Sequence, residues 1–181
     1  MTEIRQPKIN LQYIATICIA VFLTFVSHEF VHYLTGEILG NTMTMNLNEA
    51  YPVSGSYLQD WHFSVVTATA PLFTILQAVV FFAILRRKNL PMLFPFLFTP
   101  VLLRCLAMGL SISNPNDEAR LSRDAGLSLW TLPAIVCLFL IYLLYRIIKV
   151  NGYEKKFVIW SLVLGLTFIS ILILANQYFL R

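Results

Sequence analysis

The chemistry of this chain is concentrated in Ser27-His28-Glu29-Phe30-Val31-His32, an H-E-x-x-H pattern. On a helix, residues four apart lie on one face a turn from each other, so the imidazoles of His28 and His32 can reach a single zinc ion together. Glu29, beside the first imidazole, is placed to act as general base on water held by that ion. Zinc brings the pKa of such water toward neutrality, and the carboxylate takes the proton as a peptide carbonyl is attacked. The pattern supplies two ligands and a base and leaves the third ligand to another part of the chain. In a soluble helix two histidines at this spacing carry little information. Here they stand inside an apolar block from about Ile9 to Leu39, where three ionisable groups within one turn are costly in a bilayer and point to function. The bland alternative is a span that ends near Ser27, with the histidines facing headgroups or water.

The elements that must position this site are membrane helices. Of 181 residues, 58% are hydrophobic and only 12% charged, and the mean hydropathy is +0.73, outside the range of a soluble globular domain. Basic residues outnumber acidic ones, for a net charge of +4, but they sit at the edges of apolar blocks instead of on one amphipathic element. That is topology information and argues against a nucleic-acid partner. Cys18, Cys105 and Cys137 lie in apolar runs without C-x-x-C spacing and read as packing residues. The N-terminal stretch, although preceded by Arg5 and Lys8, is too long for a signal peptide and is expected to be retained.

Five apolar blocks are long enough to cross a bilayer, from about Ile9 to Leu39, Phe63 to Leu85, Leu90 to Ser113, Leu127 to Ile148 and Phe157 to Leu180. An all-α bundle of about five transmembrane helices is expected, as one domain over residues 1–181, with the zinc-site core in about 9–126 and further spans in about 127–181. Pro91, Pro95 and Pro100 predict a kinked or partly unwound third span. Lysines and arginines collect before the first span (Arg5, Lys8), after the second (Arg86, Arg87, Lys88) and after the fourth (Arg146, Lys149, Lys155, Lys156). Those segments belong on the cytoplasmic side, which puts the N-terminus inside and the C-terminus outside. His28 then lies roughly 25 Å along its helix, in a core about 30 Å thick, nearer the extracytoplasmic face. The expected location is a bacterial-type plasma membrane, in multi-pass form.

The chain resembles the site-2 protease family of intramembrane zinc metalloproteases, as a small, minimal-core relative. The likeness begins at the HEFVH motif and continues into the stretch from Gly36 to Gly40. It extends to Ala70-Pro71-Leu72, similar to a family Gly-Pro element, and to Asn114-Pro115-Asn116-Asp117, similar to the Asn-Pro and Asp signature that supplies the last zinc ligand. The resemblance therefore implies one Zn2+ per chain held by His28, His32 and Asp117. Two departures stand out. The family Gly is Ala70, and the Asn expected a few residues later is Thr74, so an amide that stabilises the transition state is lacking there. Gln77, a turn further on, is the candidate replacement. The Asp is followed by Glu118 where the family has Gly, which keeps Glu118 open as an alternative ligand.

Other candidates carry less. His62, beside Trp61 at a span edge, suits an interfacial aromatic pair, with a metal-ligand role as the alternative. Arg104, inside the third block, must find an anion such as Asp117, Asp124 or Glu29, or else contact substrate. Glu49 and Asp60 read as solvating a loop. The expected function is a membrane-embedded zinc endopeptidase acting on membrane-anchored proteins or peptides. The alternatives are a non-catalytic relative that holds clients or zinc, and a transporter. Retention of Glu29, dispensable for metal binding, favours the enzyme, and concentration of charge around one motif and one loop argues against the transporter.

Overall fold

The computed structural model describes residues 7–179, with the side chain of Phe179 excepted; Arg5 and Leu180, used in the topology above, lie outside the described residues. Its helices are α1 (Leu11–Ile38), α2 (Asp60–Arg87), α3 (Phe94–Leu110), α4 (Asp117–Asp124), α5 (Thr131–Asn151) and α6 (Lys155–Phe179), with a 3-10 turn, Pro91–Leu93, before α3. All but α4 are long and apolar enough to cross a membrane, α3 together with the 3-10 turn as Pro91–Leu110, so the chain is an all-α, multi-pass bundle. A two-stranded antiparallel hairpin, β1 (Met43–Met45) and β2 (Ala50–Pro52), fills the first connection, where a plain loop was expected.

Helix α1 shows how one element serves both fold and site. Its buried residues, Tyr13, Ile17, Ala20, Val21, Thr24, His28, Glu29, His32 and Gly36, recur every three or four positions and form one stripe. The first half of the stripe joins an apolar and aromatic cluster in which Tyr13, Phe94 and Phe157 meet at ring-centroid separations of about 5 Å. The second half carries the ionisable residues. Lipid is as apolar as leucine, so such helices associate through close packing and hydrogen bonds more than through hydrophobic burial. Accordingly α1 meets α2 through Gln77 Nε2 donating to Thr24 Oγ1 (2.9 Å), Thr35 Oγ1 donating to Thr69 Oγ1 (3.1 Å) and the His28–Thr74 pair. Each such bond is worth about 0.6 kcal/mol on average.

The prolines of the third span are accommodated without breaking it. Pro91 and Pro95 occupy first-turn positions, where no helical N–H partner is required. Pro100 lies inside α3 and deprives the Phe96 carbonyl of its usual donor four residues on. Gln77 Nε2 supplies the missing bond at 3.1 Å, so the helix runs on. The helix ends at Leu110, before the Asn114 boundary read from Pro115, because Ser111 Oγ turns back to Ala107 O (2.8 Å) and accepts from Asn116 N (3.1 Å). Asn116 then caps α4 by accepting from Ala119 N at 2.9 Å, and Asp117 and Glu118 fall in its first turn, where the helix dipole favours acids.

The hairpin folds back along α1 toward the histidines. Glu37 Oε1 accepts from Met43 N at 2.6 Å, and a Cβ on Gly36 would overlap the Met43 side chain. The tip is a tight turn: Asn46 N donates to Glu49 O (2.9 Å), and Asn46 Oδ1 accepts from Asn48 N (2.8 Å) and Glu49 N (3.1 Å). Asn176 of α6 holds the same tip by accepting from Leu47 N at 3.1 Å. At the other end of the bundle Asn151 Nδ2 donates to Leu85 O (3.2 Å) and Tyr153 to Asn89 (3.1 Å). Those contacts place the basic segments at 86–88 and 149–156 side by side.

Candidate metal centre

Each residue of the site arrives from a different constraint. His28 and His32 share the inner stripe of α1, and their rings stand edge to face with centroids 4.8 Å apart. Asp117 comes from the capped start of α4. Its Oδ2 lies 3.1 Å from His28 Nε2 and 3.5 Å from His32 Nε2, and one ligand atom from each of the three falls within 4.8 Å of the others. Two ligands each 2.0–2.1 Å from a tetrahedral zinc ion are separated by about 3.4 Å, so these spacings suit such an ion.

The far side of each imidazole determines which nitrogen faces Asp117. His32 Nδ1 donates to the Val66 carbonyl at 2.7 Å, which requires its proton on that nitrogen. His28 Nδ1 lies 3.0 Å from Thr74 Oγ1, whose own proton is directed to Ala70 O at 3.0 Å, so the hydroxyl accepts and His28 also carries its proton on Nδ1. Arg104 Nη2, a donor only, stands 3.4 Å from His28 Nε2, in keeping with an unprotonated Nε2 there. Two imidazole lone pairs and a carboxylate thus converge on one point. Such fixing of ligand orientation by outer partners is the pattern of a metal site.

Arg104 and Glu118 complete the surroundings. Arg104 Nη1 donates to Glu118 Oε1 (3.2 Å) and Oε2 (3.3 Å) and lies 3.5 Å from Asp117 Oδ2; both Arg104 and Glu118 are buried. Adjacent side chains on a helix diverge by about 100°, which is why Asp117 turns to the histidines and Glu118 to the arginine. At formal charges, Glu29, Asp117 and Glu118 bring three negative charges and Arg104 one positive. With neutral imidazoles and every carboxyl ionised, these four groups sum to two negative charges.

Glu29 stays outside the ligand triad and opens on two cavities of about 540 and 510 Å³. The first is bounded by the hairpin and the α3–α4 connection, including Tyr51, Tyr57 and Arg120. The second lies among α1, α3 and α6 and is mainly apolar, with Phe25, Leu103, Leu106, Ile169 and Ile173 in its walls. Glu29, Asn48, Ala107, Leu110 and Asn114 line both, so Glu29 stands at their seam.

Several expected participants sit elsewhere. Gln77 is occupied by Thr24 and Phe96 and lines neither cavity. His62 bonds with Asn41 at 3.1 Å and packs edge-on against Trp61, and it is not part of the triad. Asp124 takes a short hydrogen bond from Ser64 and does not pair with Arg104. Glu49 Oε1 accepts from Asn46 Nδ2 at 3.2 Å and also lines the first cavity, so it does more than solvate a loop. Thr74 and the Val66 carbonyl, which orient the two imidazoles, were not assigned those tasks from sequence. The nearest sequence signal is Thr74 itself, standing where the resemblance leads one to expect Asn. The chain matches no protein-family model, no curated protein and no solved structure.

Proposed function

We propose that the chain is a membrane-embedded zinc peptidase that hydrolyses peptide bonds of membrane-anchored proteins or peptides. The observation that carries this reading is the convergence of His28 Nε2, His32 Nε2 and Asp117 Oδ2, with both imidazoles held from behind, beside a glutamate left free in a cavity. His28, His32 and Asp117 would hold the ion. When bound, zinc supplies Lewis acidity toward water and the carbonyl oxygen. Glu29 accepts the proton of the attacking water and returns it to the departing amide nitrogen, so that water adds across the C–N bond. Arg104 holds Glu118, and with it the start of α4, in place through a buried ion pair. In this reading the hairpin and α4 face the extracytoplasmic side, because the lysines and arginines gather at the opposite end.

Glu29→Gln tests the reading, with cleavage of co-expressed membrane-anchored reporters as the readout. Loss of cleavage at unchanged protein level is expected. A variant that cuts as fast as the parent would remove the peptidase assignment.

A further inference from the structure

At the lysine- and arginine-rich end of the bundle, away from the metal centre, a third cavity of about 540 Å³ opens between the start of α1 and the start of α6. Lys8 and Lys156 stand in its walls with Ile9, Phe157 and Trp160, and Glu154 is the one acid among them. The walls are held in place: Asn10 N donates to Lys8 O at 3.1 Å, Tyr13 and Ser161 share a 2.6 Å hydrogen bond, and the Tyr13 and Phe157 rings lie 5.1 Å apart. Lys8, Lys156 and the adjacent Lys155 are exposed, and among the described residues none of the three is in an ion pair. Topology accounts for lysines at this end, but not for a walled cavity that places two of them beside an indole. Along one face of α6, Lys156, Trp160 and Val163 follow at helical spacing, and Trp160 and Val163 are exposed. A cation, an amphipathic ring and an aliphatic side chain thus succeed one another in the order of a phospholipid read from phosphate through glycerol to acyl chain.

We infer that this cavity is a binding site for one anionic phospholipid, with the phosphate on the Lys8 and Lys156 ammonium groups, the glycerol region against Trp160 and an acyl chain along α6 over Val163. Basic pockets between membrane helices take such headgroups, and a lysine near an anionic lipid is worth about fivefold in affinity. Two ammonium groups against one carboxylate leave the cavity net positive, which selects an anionic lipid over a zwitterionic one. The site stands independently of the peptidase reading, since it shares no lining residue with the two cavities at the metal centre.

Bromine on a lipid chain quenches a nearby indole, so Trp160 reports occupancy in a Trp61→Phe, Trp130→Phe background, where it is the remaining tryptophan. In phosphatidylcholine bilayers, brominated phosphatidylglycerol should quench that protein half-maximally at a mole fraction roughly 10- to 30-fold lower than brominated phosphatidylcholine, the worth of two lysines. Lys8→Gln with Lys156→Gln should abolish the preference. Arg87→Gln with Lys88→Gln removes as much charge from the same end but outside the cavity, and should keep the preference within about threefold of the parent. Millimolar glycerol 1-phosphate in solution should leave the quenching unchanged, because the site takes the lipid and not its headgroup alone. Equal quenching by the two lipids in the parent would overturn the inference. So would equal losses in the two double variants, which would reduce the effect to diffuse charge, or release by glycerol 1-phosphate, which would make this a site for soluble phosphates.

Discussion

Thr74→Val isolates the part of the site that the imidazole orientations depend on. Valine has the shape of threonine, and position 74 is 1% exposed, so the change removes a hydroxyl without opening a cavity. What it removes is the acceptor for His28 Nδ1 at 3.0 Å. Leaving that N–H buried and unpaired is unfavourable by about 1–3 kcal/mol. The ion-free protein has an escape, in which His28 moves its proton to Nε2 and donates to Asp117 Oδ2, already 3.1 Å away. Zinc binding must then undo that bond and restore the unpaired Nδ1–H, so the penalty appears in metal affinity. At about 1.4 kcal/mol per tenfold it amounts to roughly 5- to 150-fold, which overlaps the 10–100-fold typical of lost outer partners. Competition with a chromophoric chelator measures it, alongside Thr74→Ser, which keeps the hydroxyl and should remain within about threefold of the parent. Equal zinc affinity in the parent and Thr74→Val would refute the reasoning, because His28 would then need no lock from α2.

Three further outcomes follow from the same geometry. Asp117→Asn should lose zinc on dialysis. Glu118→Gln should retain it while unfolding more easily by about 1–3 kcal/mol, since buried Arg104 loses its nearer anion and keeps only the 3.5 Å contact with Asp117 Oδ2; zinc lost only from the Glu118 variant would exchange the two roles. Gln77→Leu should destabilise the fold by about 1–3 kcal/mol without changing zinc content, and much less so in a Pro100→Ala background, where residue 100 regains the N–H for Phe96 O; thermal melts of the four proteins decide it. Cysteines introduced into residues 114 to 124 should react with impermeant reagents from outside the cell, and reaction only from the cytoplasmic side would invert the topology.

The spans were legible because each apolar block is long and flanked by charges, and H-E-x-x-H was legible because its meaning depends only on helical spacing. Asp117 was named through the likeness of Asn114-Pro115-Asn116-Asp117 to the family signature, while Pro115 by itself says only that the third helix ends and the chain turns back. What escaped was set by tertiary partners. Gln77 looked free for catalysis because nothing local shows that Pro100, on another helix, leaves Phe96 O in need of a donor. The hairpin was missed because three-residue strands are too short for a periodic signal. Its trace, Thr42-Met43-Thr44-Met45 and Ala50-Tyr51-Pro52-Val53 around the turn formers Asn46 and Asn48, becomes readable only once Gly36 is seen to admit Met43.

The most direct measurement of the central claim is the metal content of the purified protein, by elemental analysis after dialysis, for the parent, Glu29→Gln and His28→Ala. One zinc per chain is predicted in the parent and in Glu29→Gln, and little or none in His28→Ala. Equal zinc in all three, or zinc in none, would contradict an ion held by His28, His32 and Asp117.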